Sequence, residues 1–180
     1  MGNHAGIEQV LIVTSNSKSS ILDYFDQSIH LENYLKRKNK EYLIKHLELP
    51  KIDICYIRQP YAKGLGDAIR LGKVFVGNDP FGILLPDDFV ISDQTFALKQ
   101  LIDVYQETKR SVIGRYIFTP EIFQCLENIK EGVDEEIHLT DAINGLLKEQ
   151  TINGKIISGE RYDIGNLEEY IELMKIMSKI

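Results

Sequence analysis

The chain has no tryptophan, and it holds only two cysteines, three methionines and five prolines among its 180 residues. The cysteines, Cys55 and Cys125, stand far apart and without zinc-like spacing. That argues against a disulfide scaffold and against a thiolate metal site. They read as two buried free thiols in a reducing cytoplasm. Positive charge is also short, with 21 Lys and Arg against 27 Asp and Glu and a net charge of -6. A mainly electrostatic nucleic-acid binder carries a basic footprint, so nucleic acid is not an expected partner. An anionic substrate then needs a metal ion or a local basic cluster to offset the field. No apolar run is long enough to span a bilayer, so no membrane partner is expected. The opening MGNHAG has no apolar signal-peptide core, and Gly6 stands where a myristoylation signal wants Ser or Thr. A cytoplasmic location is the expectation.

What is present fits one soluble domain over residues 1–180. Hydrophobic residues make up 43% and charged residues 27%, enough for a core with an ordinary surface. No repeat, linker or low-complexity segment interrupts it. Ile7–Thr14 reads as a strand, and the serines of SNSKSS offer caps for a helix through SILDYFDQS. Leu31–Glu48 is charged and helix-prone, with a broken apolar stripe at Leu31, Tyr34, Leu35, Tyr42 and Leu43. Lys51–Gln59 is a second strand, a helix starts near Leu65, and GILLP is a third strand. Gln94–Lys109 is an amphipathic helix. RSVIG and RYIF abut, and TPEIFQCLENI follows as a helix with Thr119 as cap and Pro120 at its first position. HLTDAINGLLKEQ is a helix starting near Thr140 or Asp141, NGK turns into KIISGERYDIG, and NLEEYIELMKIMSK is the last helix. Strands alternating with helices predict an α/β fold, a mostly parallel sheet flanked by helices.

Three stretches carry residues suited to chemistry. In RQPYAKGLGDA a strand runs into a turn holding Lys63, Gly64 and Gly66 ahead of a helix. Glycines admit close backbone approach, and a lysine with a helix N-terminus suits an anion. The pattern is neither the dinucleotide fingerprint nor a P-loop, so on spacing alone an ordinary glycine turn accounts for it better. Gln59, at the strand end, offers two amide donors and an acceptor to a base edge. In LLPDD the adjacent Asp87 and Asp88 point to opposite sides of an extended chain. One of them is therefore the better candidate for a Mg²⁺ ligand, against the plainer reading of a solvated turn. In GERYDIGN, Asp163 offers a second carboxylate, or else Asp163 or Asn166 caps the last helix. His4, His30, His46 and His138 share no ligand spacing, and Ser15–Ser20 lacks a nucleophile-elbow pattern.

Taken in order, AGIEQVLIVTSNSKSSILDYFD, YIRQPYAKGLGDAIRLGKVFVGNDPFGILLPDDFV, GRYIFTPEIFQCLEN, EEIHLTDAINGLL and GERYDIGN cover most of the chain. In these segments it resembles bacterial UTP–glucose-1-phosphate uridylyltransferase, also called UDP-glucose pyrophosphorylase. The resemblance implies a Rossmann-like nucleotidyltransferase fold and transfer of a uridylyl group from UTP to glucose 1-phosphate, with Mg²⁺ as cofactor and pyrophosphate released. Carried over by position, Gln59 and Gly64 match uracil-contacting residues, with Lys63 and Gly66 in the same nucleotide loop. Asp87 matches the magnesium carboxylate, and Asp163 matches a second acidic position near metal and sugar phosphate. Both would serve catalysis and metal binding, with Asp88 in a supporting role. The family also tends to self-associate, so a homo-oligomer is expected.

The chain departs from the family pattern at three places. The glycine-rich GxGTR…PK segment, with its strand, is not found. SVIG and GRYIF, which flank a long stretch in the family, meet here at Gly114 and Arg115, so the YG and VEKP elements have no counterpart. Asp67 stands where the family commonly has histidine. A shortened, truncated domain of this kind leaves three readings. It is an active uridylyltransferase, an inactive relative serving as a nucleotide-binding or subunit-interaction module, or a nucleotidyltransferase for another sugar phosphate.

Overall fold

A computed structural model describes residues 6–47, 49, 51–93, 95–108, 111–113, 115–129 and 135–179. Strand β1 (Gln9–Thr14) pairs in parallel with β2 (Asp53–Arg58), Gln9 opposite Asp53 through Thr14 opposite Arg58. Between them lie α1 (Ser19–Tyr24), α2 (Ile29–Arg37) and a 3-10 segment, Glu41–Leu47. The expected helix Leu31–Glu48 is thus two pieces. Asn39 adopts φ 55, a left-handed conformation that ends α2 and that asparagine tolerates better than most residues. Glu48 lies outside the described residues. Cys55 is exposed and Cys125 partly buried, both free thiols, which corrects the expectation of two buried ones. Along β2 exposed Asp53 and Cys55 alternate with half-buried Ile54 and Tyr56, because only one face of this two-stranded sheet is well covered.

After β2 the chain enters α3 (Gly64–Leu71) and the short α4 (Lys73–Val76). Strand β3 spans only Phe81–Ile83, so the apolar run GILLP is strand in its first part alone. A strand the sequence did not suggest, β4 (Asp88–Ile91), starts two residues beyond Pro86. Helix α5 (Ala97–Thr108) falls inside the expected Gln94–Lys109, whose two end residues lie outside the described set. β5 (Ser111–Ile113) and β6 (Arg115–Phe118) pair antiparallel, as strands joined through a single residue must, since no crossover fits. β6 also pairs antiparallel with β3, Phe81 opposite Phe118. Helices α6 (Glu121–Asn128) and α7 (Leu139–Leu146) follow, then β7 (Glu160–Asp163) and α8 (Leu167–Met177). β7 pairs antiparallel with β4. The expected α/β architecture is present. Parallel pairing is found in β1–β2, and the other three pairs are antiparallel.

The core forms where α6 and α7 meet α3 and β6. Ile122, Phe123 and Leu126 of α6 face Leu139, Ala142 and Leu146 of α7 at helical spacing, with Ile69, Phe118 and Ile137 beside them. Phe81 stacks on Phe123 at 5.1 Å between ring centres, tying β3 to the same core. Burial of each such side chain stabilises the fold by about 1.5–3 kcal/mol. At α6 the cap position belongs to Pro120, and no side chain caps the helix. Thr119 instead hydrogen-bonds Glu121, which holds that carboxyl below its ordinary range. No described helix is long and apolar enough to cross a membrane.

Candidate functional site

Gln59 extends the β1–β2 ladder by one bond, its N–H donating to the Thr14 carbonyl at 2.8 Å. It is half-buried, and its side-chain Nε2 donates to Asp67 Oδ2 at 2.7 Å and lies 3.5 Å from the Gly64 carbonyl. Asp67 is 6% exposed, and its other oxygen accepts from Arg70 Nη2 at 2.5 Å. A buried carboxylate is costly without a partner, and here a cation and an amide supply two. The negative charge at the family's histidine position is therefore met inside α3.

Gly64 and Gly66 stand in the first turn of α3, behind Lys63 at its cap, and not in a turn ahead of the helix; this first turn is docked on the segment before α7. Gly66 N–H donates to the Ile137 carbonyl at 2.8 Å, and Ile137 N–H donates to the Lys63 carbonyl at 2.9 Å. Gly64 has φ +82, which glycine adopts without strain. A Cβ on Gly66 would stand 2.6 Å from both Ile137 Cγ2 and its carbonyl oxygen. The requirement for glycine at 66 is thus met by close packing on Ile137. Lys63 is half-buried at the start of α3.

The acidic residues meet at the other paired strand ends. Asp88 opens β4 opposite Asp163, the last residue of β7. Directly opposed residues share a face, and so does Arg161, two positions before Asp163. Arg161 Nε contacts Asp88 Oδ1 at 2.5 Å, and Nη2 lies 3.8 Å from Asp163 Oδ2. The Asp88 hydrogen bond, with its charge behind it, raises the Arg161 pKa. Asp88 is 8% exposed, and Arg115 Nη2 donates to its backbone carbonyl at 2.8 Å. Burial lowers the Arg115 pKa, and the Asp88 charge opposes that shift.

Asp87 sits in the preceding turn and is exposed. Its carbonyl accepts from Ile164 N–H at 2.9 Å, so the backbones at Asp87 and Asp163 run side by side. Asp163 Oδ1 accepts from Gly165 N–H at 3.0 Å, and its own N–H donates to Glu169 Oε2 at 2.6 Å. The α8 cap is Asn166, whose Oδ1 accepts from Glu168 N–H at 2.9 Å and from Glu169 N–H at 3.4 Å. Asp163 is thereby left out of the capping role.

Among the described residues no group of three or more His, Cys, Asp or Glu is arranged to hold a metal ion. Magnesium commonly takes one or two carboxylates and completes its shell with phosphate oxygens and water. Asp87 and Asp163 stand on adjoining stretches of backbone, a placement that suits an ion arriving with a nucleotide rather than one caged by protein alone. The Gln59 loop and the Asp87–Asp163 pair are carried by separate sheets. A hollow of about 410 Å³ lined by Asp23, Asp26, Gln27, Ser28, Ile29 and His30 includes none of them.

Three groups escaped the sequence reading. Arg70 three residues after Asp67 is a helical i,i+3 pair, and Arg161 two residues before Asp163 is a strand pair. Both spacings were legible. Arg115 meets Asp88 across 27 residues, and no local pattern signals that.

A nucleotidyl transferase family model matches residues 2–113. That, with the α/β architecture and the glycines that open α3, makes the chain a nucleotidyltransferase by fold. A Bacillus subtilis (strain 168) protein provisionally named UTP–glucose-1-phosphate uridylyltransferase is 39% identical over 221 residues, 97% of this chain and 81% of that one. A crystal structure of apo UDP-glucose pyrophosphorylase superposes with TM-score 0.88 at 32% identity, covering 98% of this chain and 83% of that one. The structure of UDP-glucose pyrophosphorylase complexed with UDP-glucose gives TM-score 0.81 at 32% identity over the same shares. The chain belongs to the UTP–glucose-1-phosphate uridylyltransferase family. The 221-residue alignment exceeds the 180 residues of the chain, so the Bacillus relative carries residues within it that have no counterpart here. Gly114, where an internal block was expected to be missing, lies outside the described residues.

Proposed function

We propose that this chain transfers a uridylyl group from UTP to glucose 1-phosphate, giving UDP-glucose and pyrophosphate, as a single-domain cytoplasmic enzyme. A phosphate oxygen of the sugar phosphate attacks the α-phosphorus of UTP. The bond from that phosphorus to the bridging oxygen breaks, and pyrophosphate leaves with the electron pair. Gln59 and Gly64 contact the uracil, and Lys63 adds positive charge on the same loop. Gly66 lets that loop lie close against Ile137.

Asp87 and Asp163 hold Mg²⁺, which when bound offsets charge on the phosphates. The single observation that carries this reading is the bond from Ile164 N–H to the Asp87 carbonyl, which brings two acidic strand ends together in a chain of this family. Asp88 keeps Arg161 folded back on β4 and holds no metal. Arg161 is 60% exposed, close to Asp163, and available to the sugar phosphate.

The test is UTP binding by calorimetry as Mg²⁺ is raised, in the parent chain and in Asp87→Asn. The reading expects affinity to rise with Mg²⁺ in the parent and to stay flat in the variant. An equal Mg²⁺ response in both removes Asp87 from the metal.

A further inference from the structure

Glutamine is ambiguous at a base edge. Its amide shows an acceptor at one end and two donors at the other, and a half-turn exchanges them. A free Gln59 can therefore serve uracil, whose N3 carries a hydrogen, or cytosine, whose N3 is a bare acceptor. Here the amide is not free. An ionised carboxylate only accepts, so the end of Gln59 that lies 2.7 Å from Asp67 Oδ2 is the NH₂ end. The second Nε2 contact, to the Gly64 carbonyl at 3.5 Å, asks for the same orientation. Asp67 is itself held, being 6% exposed and bound through its other oxygen to Arg70. Both hydrogens of Nε2 thus face protein acceptors, and Oε1 is the end turned away from them.

We propose that Asp67 is a positioning residue that locks the Gln59 amide with Oε1 toward the base, so that the site selects a pyrimidine bearing an N3–H. The proposal rests on the reading of Gln59 as a base-contacting residue. Uracil donates N3–H to Oε1. Cytosine brings its N3 lone pair against the same oxygen, and rejection comes from that acceptor–acceptor contact. Asp67→Ala frees the amide to turn and offer Nε2 to cytosine. Asp67→Asn goes further, because Arg70 draws the new amide oxygen to the position of Oδ1 and leaves the Nδ2 donor facing Gln59, so Oε1 turns to accept from it and Nε2 is offered to the base.

The experiment measures UTP, CTP and N3-methyl-UTP binding to the parent chain, Asp67→Ala and Asp67→Asn, in Mg²⁺. The parent is expected to prefer UTP over both others. In Asp67→Ala the UTP-to-CTP preference falls on the order of tenfold or more, the size of one misplaced hydrogen bond. In Asp67→Asn the preference falls at least as far, toward CTP, and an Asp67→Asn chain that keeps the parent's UTP-to-CTP ratio overturns the proposal. A uniform loss for all three nucleotides in Asp67→Ala, with the ratio unchanged, means Asp67 only supports the fold, and overturns the proposal.

Nitrogen-15 NMR of the Gln59 side-chain NH₂ reads the orientation without nucleotide and does not depend on the alanine variant folding. A signal held by a carboxylate is expected in the parent, and a solvent-like one overturns the lock. UTP binding with an unlocked amide sinks this proposal alone. A locked amide in a chain that binds no UTP sinks the uridylyl reading and the selectivity with it.

Discussion

Gly66 is a position where packing and ligand binding make opposite forecasts. Its N–H and the neighbouring Lys63 carbonyl form two backbone hydrogen bonds with Ile137, at 2.8 and 2.9 Å. Ile137 is 1% exposed. A Cβ at residue 66 would sit 2.6 Å from the Ile137 carbonyl, a backbone atom that does not swing aside as a side chain would. Gly66→Ala should therefore push the loop off this segment. Losing two hydrogen bonds costs about 2 kcal/mol. Partial exposure of Ile137 costs about 2 kcal/mol more. Alanine returns about 1 kcal/mol through its higher helix propensity. The net is roughly 3 kcal/mol of destabilisation, which lowers the urea midpoint by about 1 M. Urea unfolding followed by circular dichroism measures it. A Gly66→Ala chain as stable as its parent refutes the packing argument. If that chain also loses UTP binding, the glycine is reserved for the ligand.

Phe123→Ala removes a ring that is 1% exposed and stacked on Phe81, and should cost about 3–5 kcal/mol in the same assay. Arg161→Ala should lower Tm further than Asp88→Ala. The first strands a buried carboxylate, whereas the second leaves an exposed arginine in water, and the reverse order contradicts the pairing. Tyr162 donates to Glu160 at 2.7 Å, and its pKa is pushed up to about 12, chiefly by that bond. Because the folded value lies above the ordinary 10, the stability contribution is fully present below pH 10 and is lost as pH rises toward 12. Tyrosinate absorbance should show a late-ionising tyrosine that moves earlier in Glu160→Gln.

Local signals placed much of the fold. The apolar run before Thr14 and the Asn166 cap of α8, one of two candidates there, are set by nearest neighbours, whereas α6 starts one residue later than the residues indicated, with Pro120 in the cap position expected of Thr119. Long-range pairing was harder to read. Pro86 and two aspartates look like the end of a strand, yet Asp88 begins one, because β7 supplies the pairing and Arg161 the counter-charge from 73 residues away. Non-local pairing likewise makes β3–β6 and β4–β7 antiparallel where alternating elements suggested crossovers, whereas β5–β6 is antiparallel because its strands abut. In the site, the residue types at 59, 63, 64, 66, 87 and 163 were legible chiefly through the family resemblance, since spacing alone fitted an ordinary glycine turn and a solvated Asp pair. The partners of the charged residues came only with the structure. Asp67 was legible only as a departure from the family's histidine, and its partners Arg70 and Gln59 became visible with the fold.

The central claim is uridylyl transfer by this chain. Its most direct test is pyrophosphate release by the purified, folded protein supplied with UTP, glucose 1-phosphate and Mg²⁺. The account predicts release that requires all three and that collapses in Asp87→Asn. Soluble, folded protein that binds UTP but releases no pyrophosphate contradicts it, and leaves a nucleotide-binding module in place of an enzyme.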